Sequence, residues 1–196
     1  YLQDEISLDE SGHTQVVAGL RLDNHSALKN WVISPRLNIK YELFESLIIR
    51  AGFTTGFKAP QIFDEDLHIC GLEGTQKVIR NSNNLREEKS LSYTLGFEFQ
   101  DFVNDIPVIL GVTGFYTKLK DAYSENYVSS DGTIEFWERI NNSGAKVKGI
   151  EIDFGIKPIR DLEFRSGLTY KSNKYDDRVK DFNTKNFLRT PDLFGY

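Results

Sequence analysis

Apolar and polar residues alternate with a period of two along most of this chain, and no segment keeps an apolar stripe of helical spacing for three turns. The clearest case is residues 90–100, in which the apolar positions are Leu91, Tyr93, Leu95, Phe97 and Phe99. The same pattern recurs in 32–41, 46–57, 147–156 and 161–171, and more weakly in 14–23, 106–123, 133–140 and 187–196. It predicts an all-β chain of about eight strands, each with one apolar and one polar face.

The links between these strands alternate in length. Short links are predicted at 41–46, 102–106 and 156–161, with Asn104, Asp105 and Pro158 as turn residues. Longer links are predicted at 24–30, 57–89, 124–132 and 173–186. Because successive links of an antiparallel up-and-down sheet lie at opposite ends, one end of the sheet carries tight turns and the other carries long loops.

A soluble β-sandwich and a transmembrane β-barrel have the same period of two, so the alternation alone does not separate them. Three features favour the barrel. Many of the 14 Phe, 9 Tyr and 2 Trp lie near strand ends, where membrane barrels carry aromatic girdles. The links are short at one end and long at the other. Charges recur on the polar faces, as a water-filled lumen allows, and Arg50 with Glu98, or Glu151 with Arg165, are candidate inward ion pairs.

Composition excludes several classes of function. The chain has 24 Lys and Arg against 29 Asp and Glu, so a basic nucleic-acid-binding face is not expected. A single cysteine, Cys70, excludes a disulfide within the chain and a multi-thiolate metal site. No pattern of catalytic, metal-binding or cofactor-binding residues is present. The first residues, Tyr1 to Glu5, contain neither a start Met nor a signal peptide, so the chain is expected to be part of a longer protein.

Several short motifs occur in a fixed order between residues 50 and 191. The first is Gly56-Phe57-Lys58-Ala59-Pro60, and the second, after a long link, contains Glu88 and Ser90. An aromatic strand that ends in an acid follows, with Phe115, Tyr116 and Asp121. The later positions are Asn141, Asn142, Gly144, Lys148, Gly149, Ile150 and Glu151, and then Arg189, Thr190 and Pro191. In this order the motifs resemble those of the TonB-dependent outer-membrane transporters.

Some of these residues also have a physical interpretation. Gly56 allows the backbone to bend at a barrel rim, and Pro60 cannot continue a hydrogen-bonded ladder, so the strand is expected to end there. Ser90, on the polar face, and Gly149 are expected at rim or β-bulge positions.

The resemblance implies that residues 1–196 are a partial barrel domain, about eight of about 22 antiparallel strands, without the plug domain and the closing strands. It further implies a receptor in the outer membrane of a Gram-negative bacterium and no enzymatic activity. Its partners would be its own plug, TonB, membrane lipid and a scarce ligand such as a ferric siderophore, haem or a corrinoid. A passive porin or adhesin barrel and a soluble β-sandwich interaction module are the alternatives.

The densest polar cluster lies in the long link 57–89 and contains Asp64, Glu65, Asp66 and His68, with Cys70 nearby. It can be interpreted as a ligand or cation contact at the base of a loop. Runs of acidic residues are more often simply solvated, and His68 with Cys70 provides too few ligands for a structural zinc ion.

Overall fold

The structure is a computed structural model that describes residues 1–26, 28, 30–60, 76–179, 184–186 and 191–195. The described chain consists of β-strands and their connections: β1 Leu2–Ser7, β2 Thr14–Asp23, β3 Val32–Phe44, β4 Leu47–Lys58, β5 Gln76–Asn81, β6 Glu88–Val103, β7 Ile106–Lys120, β8 Tyr123–Ser130, β9 Ile134–Asn141, β10 Ala145–Ile159, β11 Leu162–Val179, β12 Thr184–Asn186 and β13 Leu193–Gly195.

Most strands form one antiparallel sheet with the order β1-β2-β3-β4-β6-β7-β10-β11, after which both β12 and β13 pair with β11. Eight strands therefore make up the body of this sheet, which is the predicted number, although β1 was not among the predicted strands and the predicted strand 187–196 contains only the short β13 within the described residues. A separate sheet contains β5, β9 and β8, of which β5 and β9 are parallel. Its strands come from the two long connections that follow β4 and β7.

The alternation of short and long links is confirmed. β3 and β4, β6 and β7, and β10 and β11 are joined by two-residue turns at 45–46, 104–105 and 160–161. Asn104 and Asp105 have φ angles of 51° and 63°. Two successive residues with positive φ are typical of the tight hairpin turn that matches the twist of antiparallel strands. The long connections, 24–31, 59–87 and 121–144, lie at the opposite end of the sheet.

The strand register places the alternating residues on two continuous faces. Register partners across six neighbouring strands of one face, here called the outer face, are Tyr41, Ile49, Phe97, Val112, Ile152 and Leu168. The sequence neighbours of these residues lie on the opposite face, here called the inner face. Its register partners are Lys40, Arg50, Gly96, Thr113, Glu151 and Thr169. The outer face is thus apolar and the inner face polar over the same strands.

The outer face is not covered by protein. Tyr93, Leu95 and Phe97 remain 47%, 47% and 44% exposed, and Val32 and Ala145 are the buried hydrophobic residues of the described chain. A β-sandwich would bury this face against a second sheet, and the three-stranded sheet is too small to do so. Large apolar side chains left exposed across a whole sheet are expected where lipid is the solvent.

Other details also differ from the sequence prediction. Residues 133–140 were expected as a strand in line with the others, but β9 lies in the separate sheet, because its partners are β5 and β8. Pro158 was expected in a turn, but it lies at a register shift inside β10, where an irregularity tolerates its missing N–H. β11 continues to Val179, so the expected loop 173–186 begins later.

No helix in the described part of the chain is long and apolar enough to cross a membrane.

Candidate functional site at the rim that carries the long loops

The Gly56–Pro60 motif lies where β4 reaches the end of the sheet with the long connections. β4 ends at Lys58, and Ala59 and Pro60 follow outside it, so the predicted strand end is confirmed. Gly56 lies opposite Ser90 and Lys58 lies opposite Glu88, the first residue of β6. A Cβ at Gly56 would lie 2.9 Å from the Ser90 hydroxyl oxygen, so glycine allows this side chain to sit against the backbone.

Polar groups next to these strand ends connect the two long connections. The side-chain oxygen of Asn141 accepts from the backbone N–H of Arg86 at 2.7 Å, and its amide nitrogen donates to the carbonyl oxygens of Arg86 at 2.9 Å and Asp121 at 2.8 Å. The Arg86 guanidinium in turn lies 2.6 Å from the Asp121 carboxylate. Asp121 has a φ of 55°, which turns the chain out of β7. One amide thus joins the start of β6, the end of β7 and the end of β9.

Tyr123 completes this group of residues. Its backbone N–H donates to the Glu88 carboxylate at 2.9 Å, and its hydroxyl donates to the Lys58 carbonyl oxygen at 2.8 Å. Burial raises the pKa of the Tyr123 hydroxyl to about 12, so it remains a donor at physiological pH. We refer to the group as the rim junction; its members are Lys58, Arg86, Glu88, Asp121, Tyr123 and Asn141.

Beyond the rim junction, the three-stranded sheet is joined by charge and aromatic contacts. Glu125 on β8 forms an ion pair with Lys77 on β5, and lies 3.7 Å from the guanidinium of Arg139 on β9. The Lys77 ammonium also lies 4.4 Å from the centre of the Trp137 ring. Arg139 is only 5% exposed. Because β5 and β9 belong to different connections, these contacts hold two distant chain segments together as one external structure.

Two glycines of the motif between Asn141 and Glu151 allow close backbone packing. A Cβ at Gly149 would meet the Tyr170 carbonyl oxygen and would lie 2.7 Å from the Phe115 ring. A Cβ at Gly144 would meet the Leu119 carbonyl oxygen. Gly149 was expected at a bulge or rim, but it lies in regular register between Phe115 and Lys171, so that expectation is wrong. Its absent side chain instead leaves room for the aromatic ring on the inner face.

We expect Gly149→Ala to lower the free energy of unfolding of the full-length protein by about 1–3 kcal/mol, because the added methyl group overlaps neighbouring atoms, some of which belong to the backbone. Gly114→Ala is the matched control, since the nearest atom to a Cβ there is 3.8 Å away. Denaturant unfolding in lipid measures both variants. Equal midpoints would contradict the packing role assigned to Gly149.

Ion pairs line the inner face. Arg50 and Glu98, on neighbouring strands, are 3.5 Å apart, so this predicted pair is confirmed. The alternative pair of Glu151 with Arg165 is wrong, because Arg165 pairs at 2.5 Å with Glu163 on its own strand. Glu151 lies opposite Thr169, four positions away from Arg165 along β11. A charged inner wall is nevertheless present, as the sequence predicts.

The acidic cluster of Asp64, Glu65, Asp66 and His68 lies outside the described residues. Its role in ligand binding therefore stays a prediction. Within the described ranges, no three His, Cys, Asp or Glu side chains are placed to hold a metal ion.

Several residues of the rim junction have no role that the sequence pattern indicates. Asp121 and Asn141 belong to the motifs, but their contact with each other depends on how 121–144 folds back. Arg86 and Tyr123 carry no sequence signal of their own. Their partners lie 55 and 65 residues away along the chain, at Asn141 and Lys58.

A family model described as "TonB dependent receptor-like, beta-barrel" matches residues 1–195. Among curated proteins, the chain is 26% identical over 212 residues to the probable TonB-dependent siderophore receptor PirA of Acinetobacter baumannii, covering 91% of this chain and 26% of that protein. It is 28% identical over 200 residues to the ferric enterobactin receptor PirA of Pseudomonas aeruginosa, covering 90% of this chain and 24% of that protein. The chain thus spans about a quarter of the length of these relatives.

Solved structures agree with this match. The crystal structure of the siderophore receptor PirA from Pseudomonas aeruginosa superposes with a TM-score of 0.74 at 26% identity, over 89% of this chain and 34% of that one. A crystal structure of the ferric enterobactin receptor PfeA superposes with a TM-score of 0.71 over 98% of this chain and 28% of that one; at 22% identity it supports the fold alone.

Proposed function

Because this chain belongs to the TonB-dependent receptor-like β-barrel family, we propose that it is part of the barrel wall of a receptor that takes up a ferric siderophore through the bacterial outer membrane with energy from TonB. The observation that carries the proposal is the family match over residues 1–195, with relatives that are themselves siderophore receptors. In this role the protein binds and moves a ligand, and no catalytic step is required.

The geometry supports a ligand-gated receptor better than an open pore. Two long connections after β4 and β7 are bound to each other through the β5–β9 pairing and the rim junction. Such an external structure, fixed over one end of the barrel, is suited to contact a ligand before it enters the lumen. The inner wall below it is polar and charged, so water and polar ligands can enter the lumen.

We propose that the ligand is a ferric siderophore and neither haem nor a corrinoid. Relatives named as siderophore or ferric enterobactin receptors support this choice. In this proposal the plug domain and the remaining strands belong to the rest of the protein. The acidic cluster Asp64 to Asp66 with His68 is proposed as a secondary ligand contact within the long connection that also contains β5.

The proposal is tested by uptake of a radioiron-labelled siderophore panel in cells whose only siderophore receptor is the full-length protein. Accumulation is expected for at least one ferric siderophore, and it is expected to fall to background when TonB is absent. Uptake that persists without TonB would support the passive porin instead. Uptake of labelled haem or cobalamin, with no siderophore transported, would overturn the ligand class but leave TonB dependence intact.

The loop contribution needs its own comparison. The variant Asp64→Asn with Asp66→Asn is expected to weaken ferric siderophore binding to cells if the cluster contacts ligand. Asp101→Asn with Asp105→Asn, at the opposite end of the sheet, is the control with the same loss of charge. If the two double variants bind the siderophore equally well, the cluster is only solvated.

A further inference from the structure

Lysines are concentrated on the outer face at the end of the sheet that carries the long connections. The residues of this lysine belt are Lys89, Lys118, Lys120, Lys146, Lys148 and Lys174. They lie on the same face as Leu91, Tyr93 and Leu95. Each lysine is an even number of positions away from the apolar outer-face residues of its own strand, and side chains at such positions lie on the same side of a sheet. The belt contrasts with the chain as a whole, which has a net charge of −5.

The register brings like charges into direct opposition. Lys89 lies opposite Lys120, and Lys146 lies opposite both Lys118 and Lys174. Directly opposed like charges on a sheet are destabilising, so the fold itself gains nothing from this arrangement. Two acids relieve part of the repulsion: Asp176 lies 2.6 Å from Lys146, and Glu87 lies 3.0 Å from Lys89. Lys120, Lys148 and Lys174 form no ion pair with any acid in the described ranges.

The position of the belt matches the depth at which lipid phosphates lie. Phe53, Tyr93 and Tyr116 are register partners and form an aromatic row along the outer face. Lys148 lies opposite Tyr116 in this row, and the other five lysines lie one or two rows closer to the long connections. Beyond that row the outer face is apolar. Aromatic rings mark the boundary of the hydrocarbon layer, so lysines within and just outside their row lie close to the lipid headgroups. Lysine stems can lie along apolar surface there and hold their ammonium groups in the polar layer.

A cleft opens beside the belt. Gly114 lies between Leu95 and Ile150 in the register and leaves a gap in the outer face. The cleft has a volume of about 750 Å³; its outer-face lining includes Tyr93, Tyr116, Leu95 and Ile150, with Lys148 and Lys174 at the end nearest the long connections. A second cleft of about 260 Å³ is bordered by Lys89, Lys118 and Lys120. The larger cleft therefore offers an apolar groove with two cations at one end.

We propose that this surface is a binding site for an anionic lipid of the outer leaflet, whose phosphate groups contact Lys148 and Lys174 and whose acyl chain lies in the groove at Gly114. Charge complementarity and the order of lysine, aromatic and apolar rows carry the assignment. The site is separate from the siderophore path, because it lies on the outer face. It depends on the membrane location of the chain and not on which ligand the receptor takes up.

Binding is tested with the full-length receptor in nanodiscs of a zwitterionic lipid doped with a diphosphorylated glycolipid, with native mass spectrometry counting the retained glycolipid. We expect Lys148→Gln with Lys174→Gln to weaken retention roughly 30-fold, since each lysine near a lipid surface contributes a factor of about five. Lys40→Gln with Lys171→Gln, which removes two charges from the inner face, is the matched control and is expected to bind normally.

Three further retention measurements separate the possible outcomes. Gly114→Leu fills the groove, where the nearest atom to a Cβ is 3.8 Å away, and is expected to weaken retention without unfolding the barrel. Glycolipid without its phosphates is not expected to be retained by the receptor. Excess inorganic phosphate is not expected to displace the lipid; complete displacement would assign the lysines to a free anion. Unchanged retention in the double lysine variant would overturn the proposal. TonB-dependent uptake is tested by the separate uptake assay and does not depend on this result.

Discussion

Val112→Arg is expected to lower the free energy of unfolding of the full-length receptor by about 2–4 kcal/mol, whereas Thr113→Arg is expected to cost far less. The two residues are neighbours in the middle of β7, and their side chains lie on opposite faces. Val112 lies between Phe97 and Ile152 on the outer face, so its replacement puts a charge among apolar groups and lipid. Thr113 lies between Gly96 and Glu151, which offers space on one side and an opposite charge on the other.

The comparison is made by denaturant unfolding of both variants in lipid bilayers, with Phe97→Arg and Gln100→Arg as a second pair on β6. Similar losses of stability within each pair would show that the two faces of the sheet meet the same environment. That result would remove the basis for placing lipid on one side and the lumen on the other.

Asn141→Ala is expected to release the external structure from the barrel rim. The substitution removes three hydrogen bonds and leaves the carbonyl oxygens of Arg86 and Asp121 without this donor, which costs about 1–3 kcal/mol of local stability. Hydrogen–deuterium exchange is expected to increase about tenfold or more in residues 76–86 and 121–141. Exchange in the body of β6 and β10 is expected to remain unchanged.

Asn142→Ala is the control for this experiment, because Asn142 is the same residue type one position along. Among the described residues, its side chain makes a single hydrogen bond, which it accepts from the neighbouring N–H of Ser143. If both variants exchange alike, the rim junction does not hold the connections together. A decrease in siderophore uptake for Asn141→Ala alone would further connect the external structure with ligand capture.

The faces of individual strands could be predicted from sequence because side-chain direction in a strand depends only on whether a position is odd or even. Leu95 and Phe97 therefore share a face whatever the partner strand is. The register needs more, because it depends on how far each strand slides past its neighbour. The pair of Arg50 with Glu98 was predicted and is present. The pair of Glu151 with Arg165 was not formed, because the register separates them and Glu163 is nearer.

The external sheet illustrates a different limit. Residues 133–140 alternate as strands of the wall do, so their period could not show that β9 leaves the main sheet. Its parallel partner β5 lies more than 50 residues earlier, and neither strand contains information about the other. The rim junction has the same character, since Asn141 and Arg86 meet only when both connections fold back over the barrel end.

By itself, the sequence determined the strand content, the two unlike faces, the alternation of tight turns with long connections, and the resemblance to TonB-dependent transporters. These properties arise from short-range chemistry, namely the period of two, turn residues such as Asn104 and Asp105, and motifs a few residues long. Tertiary structure alone decided the ion-pair partners, the pairing of β5 with β9 and the concentration of lysines beside the Gly114 cleft. Each of these depends on the register between strands that are distant in sequence, and register is a property of the assembled sheet.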